Sequence, residues 1–165
     1  REARVGGVMA RVDSSGGAGG MEGSGMASER SIPHPDCDGA RYAYDGATRT
    51  YARWQADPNL GREVREVDAS ANVAIAPRNI VVVYTTIVET AIIEDSLGSR
   101  GVNIVTTGTG AVSIFRDGRR QDGTWSRATI NDAWTFTSLY GERILLSPGQ
   151  TWVHMIPSSW QVPSY

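Results

Sequence analysis

Four arginines fall close together between residues 116 and 127: Arg116, Arg119, Arg120 and Arg127, interleaved with Asp117, Asp122 and Trp125. Guanidinium groups beside an aromatic ring can grip phosphate or single-stranded nucleic acid. The same residues can instead form a solvated hairpin whose cross-strand Arg–Asp pairs contribute little. A second set is aromatic: Trp125, Trp134, Tyr140, Trp152 and Trp160. Rings of this kind, with Asp and Arg nearby, suit carbohydrate, because sugar C–H faces pack on the ring while hydroxyls bond to the charges. Trp125 and Trp152 are expected as core anchors of adjacent strands. Trp134 and Trp160, in polar or terminal surroundings, are the candidates for exposure. The binding candidates are therefore Arg116, Arg119, Arg120, Trp134 and Trp160.

No catalytic constellation assembles along the chain. Glu89, Glu94 and Asp95 lie close to Ser96. A glycosidase needs two opposed carboxylates. A serine hydrolase needs Ser, His and an acid brought together, and the nucleophile-elbow pattern is missing. These acids read as loop residues. His34, Asp36, Cys37, Asp38 and the remote His154 lack the paired spacing of zinc ligands, and Pro33 and Pro35 flank the lone His34. No metal and no cofactor is expected. His154 is expected as an exposed edge residue or a satisfied, half-buried histidine. Gly108-Thr-Gly110 lacks the further glycines and the Lys of a phosphate loop, and reads as a bulge or a close strand approach.

The elements that must carry these residues are short strands. Tyr42–Tyr44 and Tyr51–Trp54 alternate around Asp45-Gly46 and predict a hairpin. Arg62–Val67 alternates charged and apolar residues, as an exposed edge strand does. Asn79–Val88, rich in Val, Ile, Thr and Tyr, predicts a central strand buried on both faces. Ala91–Leu97 fits either a helical turn or a strand end. Further short strands are expected at Val102–Thr106, Ala111–Arg116, Arg119–Gln121, Thr124–Ser126, Trp134–Thr137, Arg143–Leu146 and Thr151–Ile156. Asp117-Gly118, Gly123, Gly141 and Pro148-Gly149 read as turn residues between them. Phe115, Trp125 and Trp152 read as core. No long window has helical periodicity. The fold class is all-β, a sandwich or barrel-like antiparallel meander.

A length of 165 residues suits one domain with a tail. The formal charge of −2 gives no general attraction to nucleic acid or anionic membrane. All 16 basic residues are Arg, which reads as codon bias in a GC-rich bacterial genome. Cys37 is the sole cysteine, so no internal disulfide forms. No hydrophobic run approaches bilayer-spanning length. Eight of the 19 glycines fall within residues 1–30. That segment reads as a flexible linker, or as an arm ordered by a partner through Val5, Val8, Met9 and Val12. The globular domain is expected over 31–165. The start at Arg1 reads as a processed product or a fragment, with any export signal upstream.

From residue 31 to about residue 157 the chain resembles the C-terminal domain of the YerB-like bacterial lipoproteins, a family without an assigned activity. The residues that carry the resemblance begin with Ser31-Ile-Pro33, Tyr44-Asp-Gly-Ala-Thr-Arg-Thr-Tyr51-Ala-Arg53 and the Asn79-Ile-Val-Val-Val83 strand. Gly108-Thr-Gly110, Phe115-Arg-Asp-Gly118, Gly123-Thr-Trp125, Phe136, Gly141 and Leu146-Ser-Pro-Gly-Gln-Thr-Trp152 complete them. The chain departs from the family at Ala111, where a basic residue is usual, and at Ile130, where an Arg is expected. The resemblance implies an exported protein acting outside the cytoplasmic membrane, held there only by an anchor upstream of Arg1. The expected function is a non-enzymatic module for binding or assembly at the bacterial surface, with a protein partner or self-association. A subunit of a surface polymer, its arm added to a neighbour's sheet edge, is the alternative. An enzyme on cell-wall glycan is a weaker alternative, and no nucleic-acid partner is expected.

Overall fold

In the computed structural model the described residues are 10–13, 40–57, 59–160 and 162, and they contain strands and turns but no helix. Val5, Val8, Met9, His34, Asp36, Cys37 and Asp38 lie outside them. Over the described residues the fold is all-β and closes no barrel. A four-stranded sheet has the order β1 (Ala10–Asp13), β2 (Ala40–Asp45), β3 (Thr50–Asp57), β4 (Arg62–Arg65). Val12 stands in β1, which pairs with β2 in parallel. Two residue pairs join β5 (Val67–Asp68) to β6 (Val73–Ala74).

The five-stranded sheet is built from β7 (Asn79–Thr85), β10 (Gly108–Arg116), β11 (Arg119–Arg127), β12 (Thr135–Ser138) and β13 (Thr151–Pro157). Its order is β12-β11-β10-β7-β13. All pairs are antiparallel except β13 on β7, which is parallel, with Thr151 opposite Asn79 and Pro157 opposite Thr85. The expected antiparallel meander holds over β7, β10, β11 and β12, and one parallel pair is added to it, because after β12 the chain crosses past β11 and β10 to the open edge of β7. Between these strands, β8 (Ile87–Ile93) and β9 (Arg100–Ile104) pair only with each other.

The strand of Val and Ile is β7, and six of its seven residues are buried. It ends at Thr85 rather than Val88. Ile80 and Val82 point to one face, where Phe115, Ile156, Tyr42 and Tyr51 join them and close the core between the two large sheets. Val81 and Val83 point to the other, with Val112, Ile114, Trp125, Phe136 and Ile144. Each fully buried side chain of this size contributes about 2 kcal/mol.

Turn chemistry explains both hairpins that matter here. Asp117 (φ 52°) and Gly118 (φ 72°) join β10 to β11 as a two-residue loop with positive φ at both positions. This is the type I′ turn that Asp-Gly favours. In the β2–β3 loop the Asp45 carboxylate accepts from Ala47 N at 2.9 Å and from Thr48 Oγ1 at 2.8 Å. Pro148 and Gly149 (φ 135°) form the bend that leads into β13.

Two expectations are corrected. Gly123 is not in a turn: Arg119–Arg127 is one continuous strand, and Gly123 stands opposite Ser138 on β12. Its missing side chain lets β12 approach, since a Cβ there would lie 2.1 Å from Thr137 O. Arg143–Leu146 is not a strand. Arg143 makes an isolated bridge to Thr137, and the following residues fold Ile144 into the core. Gly123→Ala should therefore lower unfolding free energy by about 3 kcal/mol. Gly46→Ala, where the nearest atom is 3.9 Å away, should change it by less than about 0.5 kcal/mol. Urea denaturation of both variants checks this.

Candidate functional site

Two hairpin tips meet at one end of the molecule and form a groove. The β2–β3 loop supplies Tyr44, Gly46 and Arg49, and the β10–β11 hairpin supplies Arg116, Asp117, Arg119, Arg120 and Gln121. The groove has a volume of ≈ 740 Å³. Gly118 is the contact between the tips: a Cβ on it would lie 2.8 Å from Tyr44 Cε1, and its N–H donates to Tyr51 Oη at 2.9 Å. Arg49 Nη2 donates to Asp117 Oδ1 at 2.6 Å, and Ser147 Oγ donates to Asp117 Oδ2 at 3.1 Å. The Arg49 hydrogen bond holds the Asp117 carboxyl below the usual carboxylate range. Arg116 donates to Leu145 O, and its charge adds to that of Arg49 in favouring the Asp117 carboxylate. Arg119 is exposed. Arg120 Nε donates to Asp122 Oδ1 at 2.8 Å, and its Nη1 to Val162 O at 2.9 Å. Arg127, by contrast, turns away to donate to the carbonyls of Ile130 and Asp132.

The structure thus brings Arg116, Arg119 and Arg120 together and separates the aromatic set. Trp125 is 1% exposed. Trp134 stacks on it at 5.6 Å between ring centroids, on the face of the sheet away from β2 and β3. Trp152 and Trp160 pack against the opposite core. Tyr140 is exposed and apart. Phe115 is buried where Arg120 lies over its ring, at 5.8 Å from the centroid. Glu89, Glu94, Asp95 and Ser96 are all exposed around the β8–β9 turn. There Asp95 Oδ1 accepts from Leu97 N and Ser99 N, each at 2.9 Å, so this acid shapes the turn.

Between the sheets lies a buried polar network that the sequence reading missed. Arg53, 3% exposed, pairs with Glu66, and its guanidinium carbon sits 4.5 Å above the Trp152 ring. Arg53 Nε donates to Tyr42 Oη at 3.1 Å. Because a guanidinium only donates, the single Tyr42 hydroxyl hydrogen is directed to His154 Nε2, 2.7 Å away. His154 is therefore neither an exposed edge residue nor half-buried: it is 3% exposed. Though β13 is an edge strand, His154 faces the covered side of the sheet. One signal in the sequence could have found the network. Arg53 alternates in phase with Tyr51, so it must share that residue's inward face.

His154 also lies in one row with Val82, Ser113 and Asp122, across four strands. Ser113 and His154 are two strands apart, a separation of about 10 Å. Ser113 bonds to Asp122 at 2.7 Å, but His154 shares their face without reaching either, and no proton can pass between Ser113 and His154. Among the described residues no group of three or more metal-ligating side chains gathers.

Burial, and then the charge of Arg53, hold the His154 imidazole down at about 3. In the unfolded chain it titrates near its ordinary value. As pH falls through 6.5 the unfolded chain takes up a proton that the folded chain refuses, so stability is lost on acidification. Unfolding free energy should drop by about 2 kcal/mol between pH 7 and pH 5 on this account. His154→Gln, which keeps an acceptor for Tyr42, should remove that part of the slope. Urea denaturation at both pH values measures it.

The comparisons with known proteins bear on the fold. The family described as "Protein of unknown function (DUF3048) C-terminal domain" matches residues 32–153. A search of curated proteins returns no match. The crystal structure of the YerB protein from Bacillus subtilis is similar with a TM-score of 0.52 and 22% sequence identity. The likeness covers 72% of this chain and 36% of that one. At that identity it speaks for the fold alone, and the chain spans little more than a third of its neighbour. The chain belongs to the DUF3048 C-terminal domain family.

Proposed function

We propose that this domain is a non-enzymatic binding module at the bacterial cell surface, outside the cytoplasmic membrane, and that the arginine groove is its binding face. The observation that carries the reading is the convergence of Arg49, Arg116, Arg119 and Arg120 on one recess with, among the described residues, a single carboxylate, Asp117. Asp117 is already held by Arg49, which leaves Arg116 and Arg119 to meet an anion. Guanidinium groups bind phosphate and carboxylate through directed, paired hydrogen bonds. The extracytoplasmic location rests on the resemblance to YerB-like lipoproteins, with any anchor upstream.

Two other readings are less well supported. An arm that docks on a neighbouring subunit would leave its strand for that neighbour, whereas Ala10–Asp13 pairs with the chain's own β2. An enzyme acting through Glu89, Glu94 and Asp95 would need a recess around them, and all three stand exposed on the β8–β9 hairpin.

Titration of the protein with a purified anionic cell-wall polymer tests the proposal. Arg119→Ala and Arg116→Ala should each weaken binding by about tenfold, the loss expected for one charge-assisted hydrogen bond. Thermal midpoints should stay close to that of the parent. Unchanged affinity in the double variant, or no binding by the parent, would rule the groove out.

A further inference from the structure

A second recess opens beside the groove, where the five-stranded sheet splits. β10 pairs with β7 only as far as Val112, opposite Val83. Beyond that point the strands part. The Trp125 indole spans the gap, its Nε1 donating to Tyr84 O at 3.0 Å. Gly110 makes room for the ring: a Cβ there would lie 2.6 Å from Trp125 Nε1. The recess is a cleft of ≈ 500 Å³, a size that suits a small ligand or one unit of a polymer.

The polar groups of the cleft are already oriented. Ser113, 1% exposed, holds its hydroxyl among Asp122 Oδ1 at 2.7 Å, Arg120 Nη2 at 3.2 Å and Tyr84 Oη at 3.3 Å. Arg120 and Ser113 both donate to Oδ1 of Asp122. Among the described residues, that leaves its Oδ2 to accept from a ligand, and the Asp122 side chain is 46% exposed. Trp160 supplies a ring, Thr86 and Thr107 supply hydroxyls, and Ala111 leaves the space without bulk. A fixed carboxylate, a fixed guanidinium, hydroxyls and a ring suit a pyranose, whose hydroxyls need donors and acceptors and whose C–H face needs an apolar plane.

Arg120 lines both recesses. We infer that cleft and groove form one continuous site for an acidic glycan. One pyranose ring lies in the cleft against Asp122 and Trp160. A carboxylate or phosphate on the same chain lies in the groove against Arg116 and Arg119. This inference rests on the groove reading for its charged half only. A single-stranded nucleic acid also joins a ring to a phosphate. Asp122 favours the glycan, because its remaining carboxylate oxygen accepts from the several hydroxyls of a pyranose, whereas a thymine base offers a single N–H donor.

Calorimetric titrations with chitotriose, trigalacturonate and hexathymidylate separate the two halves. Chitotriose should bind, and trigalacturonate about tenfold more tightly. Ala111→Trp, which fills the cleft from an exposed position, should abolish binding of both. Asp122→Asn should weaken both by about tenfold, and guards against a folding defect in the first variant. Arg119→Ala should bring trigalacturonate down to the level of chitotriose and leave chitotriose unchanged. No saturable binding of either glycan, or binding unaffected by both Ala111→Trp and Asp122→Asn, would overturn the cleft. Glycan binding that is sensitive to Ala111→Trp yet indifferent to Arg119→Ala would overturn the groove reading and leave the cleft standing. Hexathymidylate binding more tightly than trigalacturonate at equal salt would overturn the choice of glycan.

Discussion

The rest of the structure depends on the burial of β7 on both faces. A strand of alternating Ile and Val directions cannot be solvated on either side, so two covers are required. On one side the cover is the β2–β3 hairpin, through Tyr42 and Tyr51. On the other it is the irregular segment that carries Ile144 and Leu146, together with Trp134. Asn79, at the head of β7, fastens that segment. Its Nδ2 donates to Ser147 O at 2.8 Å and its Oδ1 accepts from Ser147 N at 2.9 Å. The buried amide is thereby satisfied, and the chain is turned towards β13. Ser147 also bonds to Asp117 in the groove. The second cover therefore reaches the candidate site twice, through Ser147 on Asp117 and through Leu145 on Arg116.

Much of the fold was legible because its signals are local. The alternation of Tyr42, Tyr44 and Tyr51, the Asp-Gly pair at 117–118 and the Val/Ile run of β7 each specify an element without reference to distant residues. What failed was information carried between strands. Asp122-Gly123 has the same composition as a turn. Only the approach of Thr137 O from β12 shows that Gly123 is a strand residue needed for its lack of a side chain. The parallel return of β13 to β7 has no local mark at all, because strand order depends on which edges remain unpaired.

The site was legible in the same uneven way. The arginines of the β10–β11 hairpin are neighbours in sequence, so their clustering could be read directly. Arg49 could not be added to them, since it joins them only where the two turns meet, through Gly118 on Tyr44 and Tyr51. The Tyr42–Arg53–His154 network spans residues 42 to 154 and follows from sheet packing. Aromatic residues misled in the opposite sense. Their number suggested one platform, whereas Trp125 and Trp134 pack on one face of the sheet, Trp152 and Trp160 on the other, and Tyr140 on neither.

The pairing of β13 with β7 has a consequence for how the chain acquires its structure. The two strands are 72 positions apart, from Asn79 to Thr151. Contacts of such long range close late and slowly, because loop entropy must be overcome before they form. During synthesis, β7 is complete well before its last neighbour exists. Over that interval one edge of its Val-rich backbone is open to other chains. The final strand thus completes the core and also ends the period in which the nascent domain is prone to aggregate.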